Sequence, residues 1–539
     1  MPRYEYNRFP YRTPPELTGG PAGQHKAVII GAGPVGLAAA VDLAQRGVPV
    51  VVLDDNNVVS IGSRAICWSK RTLEIFDRLG IGERMVDKGV TWKVGRLFHR
   101  DREVWNFDLL PEEGHKMPAF INLQQYYVEQ YLVERAADFP ELIDLRWNNK
   151  VASIEQKGGD VRLGVETPDG HYHMDAAWVI ACDGARSPAR AMLGLDFAGQ
   201  VFEERFLIAD VEMKADFPSE RWFWFEPPFH NGQSALLHKQ PDNIYRIDLQ
   251  LGPDADPDEE KKPENVIPRI EKVIGHADFE LDWVSVYTFQ CRRLERFVHD
   301  RVIFAGDSAH IVSPFGARGG NGGIQDIDNL GWKLAMVVQG EAPASLIASY
   351  DEERIHGTDE NILNSARSTS FMTPKSAMER IFRDSVLELS ADHDFARRLV
   401  NSGRLSKPCS LAGFSLQTPC GHAGGLAPGA VMADAPVLAE GAGDWLLNHA
   451  GGGFVLLAVD CDPPIGLPAG LHVVQVSAGA GGEAVEGVTR LVDVDGTVAA
   501  RYGAGRLYLV RPDQHIAAAF EHPDAHEIAA AMTRAMGRE

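Results

Sequence analysis

Residues 27–36 read Ala-Val-Ile-Ile-Gly-Ala-Gly-Pro-Val-Gly, a short apolar run that breaks on three glycines in the spacing Gly-x-Gly-x-x-Gly. A helical pattern, Leu-Ala-Ala-Ala-Val-Asp-Leu-Ala-Gln-Arg-Gly, follows over 37–47, and a second apolar run, Val-Pro-Val-Val-Val-Leu-Asp, closes at Asp54. Buried strand, tight turn, helix and strand make a βαβ unit. Gly31 permits the turn, Gly33 lets the backbone approach a pyrophosphate, and Gly36 lets helix and strand close on each other. The helix N-terminus turns free N–H groups and its positive dipole end toward phosphates. Asp54 stands where a ribose hydroxyl is expected. A Gly-rich turn alone is also ordinary loop geometry; here strand, helix and acid agree. Gly31, Gly33, Pro34, Gly36 and Asp54 are therefore candidate dinucleotide-binding residues.

Outward from this unit, residues 1–25 lack periodicity and read as an extended arm over the body. Helices are expected at 69–79 and 124–138, and strands of a sheet-rich region at 151–180 and 221–251. The stretch 252–264 reads as a charged surface loop. A buried strand at 301–305 leads to a second glycine cluster and a long helix beginning near Asn321. Beyond about 400 the composition turns to Gly, Ala, Leu and Val, which places a domain boundary near 405. No internal repeat of fixed period occurs.

Composition narrows the function. The 539 residues carry 53 Lys plus Arg against 75 Asp plus Glu, a formal charge of −22. With no basic run, binding to nucleic acid or an anionic membrane is not expected. No membrane span or secretory leader is visible, so the expected location is the cytoplasm. The 6 cysteines form no CxxC pair, which fits reduced thiols and no zinc site. His310 lacks a second ligand at metal spacing, and neither GxSxG nor HExxH is present, so no metal is expected. The 53 glycines either fill loops or mark close approach of backbone to a ligand.

Two further motifs decide between dinucleotides. Cys182-Asp183-Gly184-Ala185-Arg186-Ser187-Pro188-Ala189-Arg190 follows the apolar run at 178–181. The run 301–305 continues as Gly306-Asp307-Ser308-Ala309-His310 and then Ser313-Pro314-Phe315-Gly316-Ala317-Arg318-Gly319-Gly320-Asn321. With the first turn, these resemble, over about residues 26–400, the single-component FAD-dependent aromatic hydroxylases of the p-hydroxybenzoate hydroxylase and phenol hydroxylase superfamily. The similarity is greatest to the 3-(3-hydroxyphenyl)propionate hydroxylase-like branch.

The resemblance implies an α/β fold in which a Rossmann-type FAD-binding domain (26–200 and 285–400) is interleaved with a sheet-rich substrate domain (201–284, with part of 90–122). It implies hydroxylation of a phenolic ring with O2 and NADH or NADPH, through a flavin hydroperoxide. Asp307 would accept hydrogen bonds from the ribityl chain, and Gly306 would bind the cofactor beside it. Gly319, Gly320 and Asn321 would begin a helix aimed at the flavin pyrimidine, and Pro314 would lie beside the reacting flavin edge. Asp183 would serve nicotinamide binding, while Arg64 and Gln125 would contact FAD; apart from the resemblance both read as solvated side chains. Arg318 departs from the family pattern, and would stabilise reduced flavin, bind an anionic substituent, or point to solvent.

The substrate is expected against 221–248. His238 falls where the family contacts substrate and could orient or deprotonate a phenol, although a lone strand histidine is more often structural. Trp222, Trp224 and Tyr245 are candidates for an aromatic wall, with core packing the alternative. Residues 405–539 resemble the thioredoxin-like tail of the same branch through Gly453–Leu457 and Tyr508–His515. Without CxxC its expected role is packing or homodimerisation. Two rival readings stand beside this one: a flavin oxidoreductase of the same fold that modifies a polyketide or antibiotic, and a non-catalytic flavin-binding protein.

Overall fold

Strand Ala27–Ile30 lies at the middle of a six-stranded sheet in the computed structural model, which describes residues 4–19, 23–110, 112–215, 217–230, 232–252, 254–400, 408–420, 424–479 and 487–539. It pairs in parallel with Val50–Asp54 on one side and Val179–Ala181 on the other. Ile143–Trp147 and Val302–Phe304 extend the parallel set, and Val298–His299 closes it antiparallel. All four residues of the first strand are buried, as expected of a parallel strand covered on both faces. Helices Pro34–Gln45 and Gly319–Val338 pack on each other. The second starts at Gly319, beside Asn321 as expected. The strand order reverses at Ala27–Ile30, which opens a crevice at the carboxyl ends of the strands.

An eight-stranded sheet stands over this crevice. It takes strands from 94–108 and 198–293 and ends on His310–Ile311, in the second glycine motif. One face carries Leu207, Ala209, Leu237, Ile247 and Leu249 against Val266 and Ile270 of helix Pro263–Ile274. The other carries Phe206, Phe223, Phe225, Leu236 and Phe289, which close on Phe315. The loop expected over 252–264 is instead partly helical, with Pro257–Glu260 followed by the start of Pro263–Ile274. Each helix has proline at its first position, and the Asp256 side chain caps the first by accepting from the Asp258 N–H, two local signals that outweigh high charge.

The C-terminal residues build a seven-stranded sheet from Pro436–Ala439 to Ile516–Phe520. It is joined to the first domain by a buried ionic network. Arg511 donates to both oxygens of Glu353 at 2.6 and 2.9 Å, Lys333 donates to Glu353 at 2.7 Å, and the Trp332 indole donates to Asp513 at 3.1 Å. Burial pushes the Lys333 pKa down to about 8 against the pull of Glu353. Breaking such a network strands a buried charge, so this sheet is packed into the body. The boundary expected near 405 lies outside the described residues. In the N-terminal arm, Phe9 stacks on Trp147 with centroids 4.5 Å apart, and the Tyr6 hydroxyl accepts from the Gly62 N–H at 3.0 Å. Among the described residues no helix is long and apolar enough to cross a membrane.

Candidate active site

The first glycine turn is sterically committed. Gly31 has φ of 102°, and a Cβ there would stand 2.6 Å from the Cys182 carbonyl oxygen; a Cβ on Gly36 would stand 1.9 Å from the Gly31 oxygen. Neither position admits a side chain. Around Gly33, by contrast, nothing lies within 4 Å of the Cβ position, so that backbone faces open space as a phosphate cradle requires. Pro34 is the first helical residue. Asp54 ties the turn to the second strand, accepting from the Ala32 N–H at 2.6 Å and the Asn56 N–H at 2.8 Å. Burial raises its pKa against these two bonds.

The other two motifs converge on the same crevice. Asp183 accepts from the Ser187 hydroxyl at 2.6 Å and the Ala189 N–H at 2.8 Å, which fixes the turn before helix Pro188–Met192. Arg190 then donates to the Ser308 carbonyl at 3.0 Å and joins the two motifs. Gly306, with φ of 66°, donates its N–H to Asp326 at 2.9 Å. His310 lies 2.6 Å from the same carboxylate, and Arg354 donates to its other oxygen at 2.7 Å. His310 and Arg354 outweigh burial and lower the Asp326 pKa. His310 therefore pins helix Gly319–Val338 to the Gly306 turn. Asp307 differs: burial raises its pKa, and its carboxylate has no hydrogen-bond partner among the described residues. It is a half-buried acceptor facing the crevice, as a polyhydroxy chain would need.

Asn321 holds the start of the long helix beside Cys67–Ser69, donating to the Cys67 carbonyl at 2.9 Å and accepting from the Ser69 N–H at 3.0 Å. Gly319 and Gly320 are the first residues of that helix, and Gly320 abuts Trp68. Pro314 is exposed next to buried Phe315. Arg318 is buried and donates to Asn361 at 2.8 Å, which removes the option that it points to solvent. Arg64 is exposed with φ of 45°. Its carbonyl accepts from Arg246 at 2.7 Å, so the eight-stranded sheet holds this strained residue in place. The Gln125 amide is engaged with the same loop, donating to Ser60 at 3.0 Å and Glu129 at 2.8 Å and accepting from the Ala65 N–H at 3.3 Å. It braces the loop that carries Arg64.

Strand register decides what faces the crevice. Arg221 opposes His238, which opposes Arg246, which opposes Asp210; one step along, Phe223, Leu236, Asp248 and Ile208 form the next row on the same face. Phe223 and Phe206 of this face meet Phe315 with centroids 6.5 and 5.2 Å apart. His238 is buried, its Nδ1 has no partner, and its Nε2 lies 4.0 Å from Asp248. Burial, then Arg221 and Arg246, hold the imidazole well below its usual pKa. Asp248 Oδ1 is likewise buried without a partner, and burial raises this carboxyl to about 6 against the pull of Arg246. Arg246 is paired with Asp210 at 3.1 Å. Arg221 has no hydrogen bond or ion pair among the described residues.

The same register corrects the aromatic wall. Trp222, Trp224 and Tyr245 point to the opposite face, under helix Pro263–Ile274. Trp222 packs on Phe217 with centroids 5.4 Å apart, Trp224 on Phe98 at 5.3 Å, and the Tyr245 hydroxyl donates to the Ala215 carbonyl at 2.8 Å. Strand alternation turns Phe223 and Phe225, rather than the tryptophans, toward the crevice. The sequence reading missed Asp248, Arg221 and Tyr287. Tyr287 opposes Phe206 on the crevice face and is 40% exposed; burial and then Asp307 push its hydroxyl up to about 12. The signal available was charge two residues apart, Arg246 and Asp248, inside a strand that is apolar apart from these and Gln250. Among the described residues, His99, Glu226 and Asp384 also bring potential ligand atoms within 4.8 Å of one another, but Arg383 bonds both carboxylates and makes the group an ion-pair cluster.

Residues 24–364 match the family model described as FAD binding domain. A flavin-dependent monooxygenase of Mycobacteroides abscessus is 31% identical over 356 residues, covering 61% of this chain and 70% of that protein. The 12-dehydrotetracycline 5-monooxygenase/anhydrotetracycline 6-monooxygenase of Streptomyces rimosus is 28% identical, with 92% and 95% covered. The 3-(3-hydroxy-phenyl)propionate/3-hydroxycinnamic acid hydroxylase of Escherichia coli is 26% identical, with 92% of each covered. In fold, the chain is similar to the crystal structure of the flavin-dependent monooxygenase PieE in complex with FAD and substrate, at a TM-score of 0.78 and 22% identity, with 96% of this chain and 100% of that one covered.

Proposed function

The chain belongs to the FAD binding domain family and is an FAD-dependent monooxygenase, and from that premise we propose that it hydroxylates a phenolic ring held in the crevice against the eight-stranded sheet, beside the Phe315 turn. The turn at Gly31, Gly33, Pro34 and Gly36 would hold the pyrophosphate and Asp54 a ribose. Asp307 would hold the ribityl chain, with Arg64 and the N-terminus of helix Gly319–Val338 at the flavin ring. When bound, FAD takes electrons from NAD(P)H and activates O2.

The chain's own contribution is orientation and proton handling. Phe206, Phe223 and Phe315 supply an apolar wall for a flat ring. The observation that carries the reading is the pair of buried polar atoms without partners beside that wall, His238 Nδ1 and Asp248 Oδ1. A phenol with a pKa near 10 is a poor nucleophile until its proton is shared. Asp248, ionised above about pH 6, is the stronger candidate to accept that proton. His238, neutral between Arg221 and Arg246, orients the hydroxyl, and the two guanidiniums favour developing phenolate charge. Asp183, already bonded within its turn, would act through the shape of that turn. The chain would work in the cytoplasm as a homodimer, its tail a thioredoxin-like scaffold without disulfide chemistry.

The test is a phenol panel on FAD-loaded protein. A substrate should accelerate NAD(P)H oxidation and yield a product heavier by one oxygen atom, and Asp248→Asn or His238→Leu should each lower kcat/KM by about 100-fold at full FAD content. FAD-loaded protein that no phenol stimulates would refute the reading. The near-full-length likeness to the tetracycline enzyme favours a second one, hydroxylation of a polyketide ring, which turnover of polyketides but not simple phenols would select.

A further inference from the structure

Helix Ala377–Ser390 is set by a capping box between Ser376 and Glu379 and carries two separate faces. Arg383, Val386, Leu387 and Ser390 are buried, against the outer strands Val94–His99 and Arg102–Asp108 of the eight-stranded sheet. On the other side, Met378, Ile381, Phe382 and Leu389 are exposed at 73%, 60%, 55% and 41%. Helix Asp394–Val400 packs on the first and adds Phe395 and Leu399 at 61% and 53%. A surface helix ordinarily buries one stripe and shows a polar one to water; here the side shown to water carries four large apolar side chains, while the buried side carries Arg383 and Ser390 beside Val386 and Leu387.

The exposed stripe is shaped for another helix. Ile381, Phe382 and Leu389 follow Met378 by three, four and eleven residues, with exposed Ser385 between them, so they line one side of the helix, as side chains that seat against a facing helix do. Together the six side chains expose on the order of 600 Å² of apolar surface, at the upper limit of what a monomer leaves uncovered. That is most of the ~800 Å² per partner that a stable interface buries. The charges at the patch suit self-association. Glu388 and Arg398 are exposed, and neither has a hydrogen bond or ion pair among the described residues. Across a twofold axis a surface meets itself, so a residue and its counterpart interact reciprocally, and Glu388 of each copy can face Arg398 of the other.

We propose that this helix pair, rather than the C-terminal sheet, is the surface through which two copies of the chain associate. The proposal rests on the homodimer reading above and names its interface. It is tested by light scattering on full-length, FAD-loaded protein at micromolar concentration. Wild type is expected as a dimer, and Met378→Glu and Phe382→Glu are each expected to halve the molar mass at unchanged FAD content. Ile465→Glu, at a site 98% exposed on the C-terminal domain, should leave the dimer intact. Glu388→Arg should weaken dimerisation about tenfold, with Arg398→Glu in the same chain restoring it. Dimeric wild type that neither patch variant nor the charge reversal shifts would overturn this interface and leave the homodimer reading standing. Monomeric wild type would overturn both, and cosedimentation of that monomer with phosphatidylcholine vesicles would assign the patch to lipid instead.

Discussion

The two faces of the eight-stranded sheet are made by the same strands and yet differ in kind. The face under helix Pro263–Ile274 is apolar where it meets the helix, with Leu207, Ile247, Leu249 and the two tryptophans packed with Val266 and Ile270. The face toward the crevice mixes Phe206, Phe223 and Phe289 with Asp210, Arg246, Asp248 and His238. It leaves His238 Nδ1 and Asp248 Oδ1 buried without partners. An unsatisfied buried polar atom costs about 1–3 kcal/mol, so one face stabilises the fold and the other gives up stability for groups that a substrate can satisfy. Aromatic density therefore does not mark the site here. Unpartnered polar atoms on an otherwise apolar face do.

The largest effect expected from this contrast is at Asp210. It is buried, accepts from Arg246 at 3.1 Å and also receives the Ser63 hydroxyl. Asp210→Ala strands the Arg246 cation and should cost about 4 kcal/mol, read as a fall in the thermal midpoint, with weaker FAD binding because Arg246 also holds the Arg64 carbonyl. A loss below about 1 kcal/mol would mean that this face is not organised by its ion pair. On the opposite face, Trp224→Ala should cost about 3 kcal/mol through lost packing and leave KM for the aromatic substrate and NAD(P)H unchanged. A raised KM for the aromatic would show that the faces are assigned the wrong way round.

Much of this architecture is legible in the sequence because its signals are local. The turn at 31–36 specifies itself: a Cβ at Gly36 collides with a neighbour five residues away, so the glycines are a steric requirement readable from spacing. What could not be read is set by distant partners. Whether Trp222 or Phe223 faces the crevice depends on pairing with 94–99 and 235–239, and a one-residue choice inverts the whole row. Gln125 and Asp183 are legible as motif positions through the resemblance, but their bonding to neighbouring loops appears only in three dimensions. The same holds for Arg511 and Glu353, 158 residues apart and joined in one buried network.

Smaller effects sharpen the contrast through pH. Asp248 moves from the usual 3.8 to about 6 in the fold, so the native state holds a proton that the unfolded chain has already released. Stability contributed by this group is complete below pH 3.8 and falls as pH rises toward 6. Asp248→Asn should therefore stabilise the protein by about 3 kcal/mol well above pH 6 and flatten the slope of its thermal midpoint across that window, while lowering turnover. A substitution that stabilises and inactivates together is the signature of a site residue. Tyr245→Phe gives the matching measurement on the other face. It removes the donor to the Ala215 carbonyl at 2.8 Å but keeps the ring packed near Phe217, so the expected cost is about 1 kcal/mol, with no pH dependence and no change in kcat or KM. Should Tyr245→Phe lower kcat, the hydroxyl must reach the substrate, and the division between a stabilising face and a working face would not hold.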